Sequence, residues 1–174
     1  MGLLKAIFDF FNKPNETTVT VYAPLSGEVL AIEDVSDIVF SDLILGDGIA
    51  IKPDLEQKYV VSPVDGTVVQ LYQTQHAVML STPPGLNIFI HVGFNTFTLR
   101  GQCFNSLVAL DQKVKLTEAL LEVDFNLIAA KNLETVTPIV VSNLNDKFEI
   151  VEKLSAGARV EAGITPIYKI KFKR

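Results

Sequence analysis

The two histidines of the chain, His76 and His91, stand in the segments YQTQHAVML and IFIHVGFNT. An imidazole ionises near pH 6.5, so at neutral pH its uncharged form can act as a nucleophile or a metal ligand. Held together, two such rings could share a zinc ion or divide the work of a group transfer. Held apart, they would be packing. The single thiol, Cys103, cannot close an internal disulfide and reads as packing in a reducing compartment.

The linker STPPGLN joins the two segments, and its Pro-Pro-Gly centre is a turn signal. Two antiparallel strands are expected, one ending near Leu80 and the next starting near Asn87. A turn centred on Pro83-Pro84 sets His76 directly opposite His91. One centred on Pro84-Gly85 makes them diagonal neighbours on the same face. A slip of one residue puts them on opposite faces. Thr74 shares a face with His76 in an extended strand, where its hydroxyl would orient the ring.

Such a pair suits phosphoryl transfer. One ring accepts the group, and donors are then needed for the oxygens over which charge spreads. The second imidazole supplies one donor and backbone N–H groups supply others, with Gly93 permitting close approach. Ile90, Val92 and Phe94 are expected to keep water away. No glycine-rich nucleotide cradle is present, so the expected phosphoryl donor is another protein. A zinc hydrolase would normally need a third protein ligand, and no obvious one stands nearby. A binding module would bury both histidines unreacted. The residues alone leave all three readings open.

The elements that must position this pair read as β. TVTVYAP, GEVLAI, YVVSPVDGTVVQLY, AVMLST, LNIFIHVGF and PIYKIKFK are short and rich in β-branched residues. Gly, Pro, Asn and Asp punctuate them. IEDVSDIVF and DFNLIAAKN are short helical candidates. The class expected is all-β, an antiparallel sandwich or barrel. YAPLSGEVLAI and VSPVDGTVVQL form an internal repeat in which Pro24 and Gly27 match Pro63 and Gly66. LSAGARVEAGITPIYKI is a third echo of this hairpin pattern. It carries no lysine at a hairpin tip, which argues against a swinging-arm carrier.

A chain of 174 residues with 48% hydrophobic residues supports one globular domain. A net charge of -5 without a basic block argues against nucleic acid and is compatible with a basic protein partner. No apolar run reaches the length of a membrane span. In MGLLKAIFDFFNKPN, Leu3, Leu4, Ile7, Phe8 and Phe11 fall on one helical face, ended by Pro14 and Asn15. Residues 1–16 are expected to be an amphipathic or flexible tail, with weak membrane-surface contact through residues 1–13. Residues 17–174 form the expected domain.

APLSGEVLAIEDV, VFSDLILGDGIAIKP, SPVDGTV, TQHAV and IFIHVGFNT together resemble the glucose-type IIA component of the bacterial phosphotransferase system, from about Val19 to the C-terminus. The resemblance implies an antiparallel β-sandwich or barrel of the duplicated hybrid motif type. It implies that His91 accepts a phosphoryl group from phospho-HPr and that the IIB domain of a sugar permease receives it on a cysteine. His76 matches the assisting histidine and Thr74 the hydroxyl that supports it. No cofactor is required. In regulatory complexes of the enteric branch, zinc bridges the two histidines, here His76 and His91, and a partner carboxylate. That branch also implies inhibition of sugar permeases and glycerol kinase by the unphosphorylated protein, adenylate cyclase as a further partner, and a cytoplasmic location, peripheral at the inner face of the membrane. Asn95 stands where the family motif usually has Asp, which removes a charge near the docking face.

A site that meets two proteins in turn must be accessible. The expected docking face is a shallow depression at His91 with exposed Val39, Phe40, Ile44, Val78 and Phe94 around it. Asp37, Asp42 and Asp47 are the expected acidic rim.

Overall fold

The computed structural model describes residues 17–172. The tail assigned to residues 1–16, its amphipathic face and its membrane contact lie outside the described residues.

Among the described residues fourteen strands form three antiparallel sheets. In chain order they are β1 (Thr17–Tyr22), β2 (Gly27–Ala31), β3 (Asp47–Pro53), β4 (Tyr59–Val61), β5 (Gly66–Leu71), β6 (Ala77–Ser81) and β7 (Asn87–His91). The second half supplies β8 (Phe104–Ser106), β9 (Lys113–Val114), β10 (Ala119–Val123), β11 (Thr137–Val141), β12 (Phe148–Lys153), β13 (Arg159–Val160) and β14 (Pro166–Phe172). An 8-stranded sheet runs β13-β2-β3-β11-β7-β6-β5-β9, and two 3-stranded sheets run β1-β14-β12 and β4-β10-β8. The β class expected from the sequence is the one observed.

The helical candidates shrink to one or two turns. IEDVSDIVF divides into a 3-10 turn, Ile32–Asp34, and a helix, Ile38–Ser41, which the Asp37 carboxylate caps by accepting from Val39 N at 2.9 Å. DFNLIAAKN yields the helix Phe125–Ala130, capped by Asp124 on Leu127 N.

Period-two alternation gives the large sheet two apolar faces. Ile49, Ile51, Leu80, Ile88 and Ile90 turn one way and pack against Leu121, Tyr168 and Ile170 of the small sheets. Each fully buried side chain of this kind contributes about 2 kcal/mol. Ala50, Ala77, Phe89 and Val140 turn the other way, where Ile32 and Phe40 of the connecting segment cover them. The second layer is thinner, and it carries the histidines.

The repeat is a structural two-fold. Tyr22 N donates to Pro63 O and Val61 N to Pro24 O, both at 3.0 Å, so the matched prolines exchange equivalent bonds. Val29 exchanges bonds with Ala158 and Gly157 as Val68 does with Gln112 and Asp111. β13 pairs with β2 as β9 pairs with β5. The C-terminal echo therefore completes the first copy. One copy is β1–β3 with β11–β14, and the other is β4–β10, held as one unbroken stretch inside it. The axis passes between Ile90 and Ile139, which face each other where β7 meets β11.

Candidate active site

His91 ends β7. Ile88 and Ile90 point into the main core, so Phe89 and His91 point to the second layer. The ring of His91 sits 5.3 Å from Phe40 and 6.0 Å from Phe89, centroid to centroid.

His76 arrives by a route the hairpin argument did not foresee. The loop between β6 and β7 has five residues, Thr82 to Leu86, closed by Thr82 N donating to Leu86 O. Its midpoint is Pro84 itself, not a pair of residues. Ala77 therefore pairs with His91, which is the one-residue slip expected to separate the histidines. They meet because His76 precedes the strand and alternation does not bind it. Gln75 has a left-handed backbone, φ 58°, which swings the chain before β6 begins. Val92 N then donates to His76 O at 2.8 Å. The two rings lie 4.7 Å apart, edge to face. Thr74 is likewise in the turn, and its Oγ1 lies 2.7 Å from His76 Nδ1.

The hydrogen bond of His91 fixes its tautomer. Nδ1 lies 2.8 Å from Gly93 O, and a carbonyl oxygen can only accept. The proton is therefore on Nδ1 and the lone pair on Nε2. Gly93 holds this carbonyl in place with a backbone φ of 70°. A Cβ there would strike Glu134 O, which accepts from Phe94 N at 3.1 Å. Burial, and then the neighbouring His91, push His76 down to about 4. Burial also lowers His91, opposed by its bond to Gly93 O and the charge of Asp37. Both rings are uncharged at neutral pH.

The surroundings differ from the expected rim. Ile90 and Val92 belong to the main core, so the water-excluding wall is instead Phe40, Phe89, Phe94 and Tyr72. Val78 is fully buried on the opposite face of the sheet, Phe40 and Phe94 are buried beside the histidines, and Val39 is half-buried. Ile44 is exposed as expected, and Ile38, Leu43 and Phe97 join it. Phe97 is the missed aromatic, 6.4 Å from the ring of His76. His76 is buried and His91 half-exposed, which leaves His91 the accessible member. Asp42 is exposed, and Asp37 caps its helix. Asp47 does not face the site: it alternates with Gly48 and Ala50, and its carboxylate holds Lys153 Nζ at 2.9 Å. Alternation from His91 would have pointed to Phe89, but nothing in the sequence spacing marks Phe97 or Tyr72.

Among the described residues no group of three His, Cys, Asp or Glu side chains could hold a metal ion. His76 and His91 offer two donors, half of what tetrahedral zinc takes.

The model of the family described as phosphoenolpyruvate-dependent sugar phosphotransferase system, EIIA 1, matches residues 19–147. The glucose-specific EIIA component of Bacillus cereus is 40% identical over 171 residues, covering 98% of this chain and 100% of that protein. The Haemophilus influenzae glucose-specific EIIA component is 37% identical over 172 residues, covering 98% and 99%. The N-acetylglucosamine-specific EIICBA component of Escherichia coli is 36% identical over 159 residues, which are 91% of this chain and 24% of that longer protein. The solved structure of glucose permease IIA from Mycoplasma capricolum superposes with a TM-score of 0.78 at 29% identity, covering 88% of this chain and 96% of that one. These likenesses span the strands and the histidine pair alike, and the chain belongs to the EIIA 1 family of the sugar phosphotransferase system, whose members carry phosphoryl groups in sugar uptake.

Proposed function

We propose that this chain accepts a phosphoryl group from phospho-HPr on Nε2 of His91 and passes it to a cysteine on the IIB domain of a glucose-type sugar permease. The observation that carries this reading is the bond from His91 Nδ1 to Gly93 O, which leaves the Nε2 lone pair free beside an uncharged His76. A P–N bond forms at Nε2 as the bond from phosphorus to the donor breaks. With the Thr74 hydroxyl, 2.7 Å away, donating to His76 Nδ1, the His76 proton lies on Nε2, where it serves the phosphoryl oxygens. The aromatic wall excludes water, which would otherwise hydrolyse the phosphoimidazole.

The EIICBA relative joins an EIIA-like portion to other components in one protein, which supports a permease component as recipient. Residues 17–174 act as the IIA domain. No described helix is long and apolar enough to cross a membrane. Transfer from phospho-HPr sets the working location as the cytoplasm. Regulation of sugar permeases, glycerol kinase or adenylate cyclase by the unphosphorylated form uses the same face. The transfer reaction needs no cofactor; zinc would take His76 and His91 as ligands only where a partner adds a carboxylate.

The test is incubation with phosphoenolpyruvate, enzyme I and HPr, followed by intact mass. One phosphoryl group is expected, lost in mild acid and kept in alkali, as a P–N bond requires. An acid-stable label would place the group on a hydroxyl and overturn the reading.

A further inference from the structure

Gln75 stands immediately before His76 in the loop that closes β5 onto β6. Gln75 N donates to Tyr72 O at 2.8 Å, and Tyr72 N donates to Ala77 O at 3.2 Å. The residue that ends such a turn in the left-handed region is normally Gly or Asn, because a longer side chain crowds the backbone there. A glutamine at φ 58° needs another reason to be present.

Its side chain supplies one. Gln75 Oε1 accepts from Ser106 N at 2.6 Å. Ser106 ends β8, an outer strand of its 3-stranded sheet. The next residue, Leu107, gives its N–H to Leu120 O, on the β10 side. Successive N–H groups of a strand point to opposite sides, so Ser106 N–H points away from β10 and meets no strand among the described residues. Gln75 supplies that donor's acceptor. Glycine has no acceptor to offer, and asparagine is one methylene shorter. The bond joins the loop carrying His76 to a different sheet, across 31 residues of chain.

We propose that Gln75 is a positioning residue for the transfer reaction, holding His76 against His91 by tying its loop to the free edge of β8. The inference rests on the reading of His91 as acceptor and His76 as the assisting ring. Thr74 reaches His76 Nδ1 only while this turn keeps its shape, so the tether governs the tautomer as well as the position of the ring.

The test compares Gln75→Met, which keeps the length and removes the acceptor, with Gln75→Glu, which keeps an acceptor oxygen. Three quantities are measured: the thermal midpoint, the ring nitrogen shifts of both histidines in unphosphorylated protein, and the rates of acceptance and onward transfer. In Gln75→Met the His76 shifts move towards the average of two tautomers while those of His91 stay. Onward transfer falls about tenfold and acceptance by less than about threefold. Gln75→Glu restores the shifts and brings both rates within about twofold of wild type. Unchanged His76 shifts in Gln75→Met overturn the proposal, and so does an equal loss in both variants. If wild-type protein accepts no phosphoryl group, the acceptor reading fails, but the ring nitrogen shifts still decide whether Gln75 positions His76.

Discussion

His91 keeps its proton on Nδ1 because a carbonyl oxygen can only accept, and the reactivity of the ring follows from that one bond. His91→Ala is expected to abolish phosphorylation. His76→Gln should still accept the group but pass it on roughly 100-fold more slowly, since it loses a positioned proton donor. Single-turnover assays with phospho-HPr and with IIB separate the two steps, and equal labelling of His91→Ala and wild type would sink the assignment. Burial of the rings also makes stability depend on pH. An unfolded histidine binds a proton near pH 6.5, whereas folded His76 does so only near 4. Between these values the unfolded chain holds more protons, so stability is full above about 6.5 and falls as pH drops towards 4. His91 acts in the same direction. Denaturant midpoints at pH 7 and pH 5 should show this fall, and His76→Gln should reduce it.

At the scale of elements, the segment from Ile32 to Leu45 has two jobs that its hydrophobic residues divide. Phe40 is 3% exposed and stacks near Phe89, Phe94 and His91, so it belongs to the cover of the second layer. Ile38 and Ile44, 65% and 67% exposed, are free to meet a partner. Phe40→Ala is expected to cost about 3 kcal/mol of stability. Ile44→Ser should change stability by less than about 0.5 kcal/mol, yet weaken transfer from HPr at any salt concentration. A thermal melt and a transfer rate on each variant distinguish the two roles. The sequence could not make this division, because VFSDLIL has the same apolar content whether a given residue points in or out. The strands were easier to read, since alternation and turn residues are local signals. The meeting of His76 and His91 was expected, but for the wrong reason. The left-handed turn at Gln75, which brings them together, follows from tertiary contacts that no spacing encodes. Asp47 fails as a rim residue on the same ground: its partner, Lys153, is distant in sequence.

Across the whole molecule, a net charge of -5 favours a basic partner, and such attraction acts mainly on the rate of encounter. Asp42→Lys should slow phosphoryl acceptance at low salt, with the difference fading as salt rises and the Debye length shrinks to about 8 Å or less. Asp47→Asn serves as the control, because its carboxylate lies on the other face beside Lys153, and it should leave the salt dependence of the rate unchanged. The two-fold sets these charges on a scaffold that has a second, unused position. Where Ala77 faces His91 in one copy, Gly48 faces Val140 in the other. The duplication therefore provided equivalent positions in both copies, and only one copy holds a pair of histidines there.

The nesting of one copy inside the other also limits which pairings a growing chain can make at each stage. β1–β3 are made before the inner copy, but β14, the neighbour of β1, is made after it, as the pairing of Thr17 with Phe172 requires. The stretch β4–β10 needs only its own residues to pair its strands, and its longest register, Tyr59 with Glu122, closes a much shorter loop. The nascent chain can thus bring His76 and His91 together within the inner copy before the outer copy has its last strands. The pairings within the inner copy can form before β14 exists, and the full sheet system that supports the histidine pair can close only once β14 has been made.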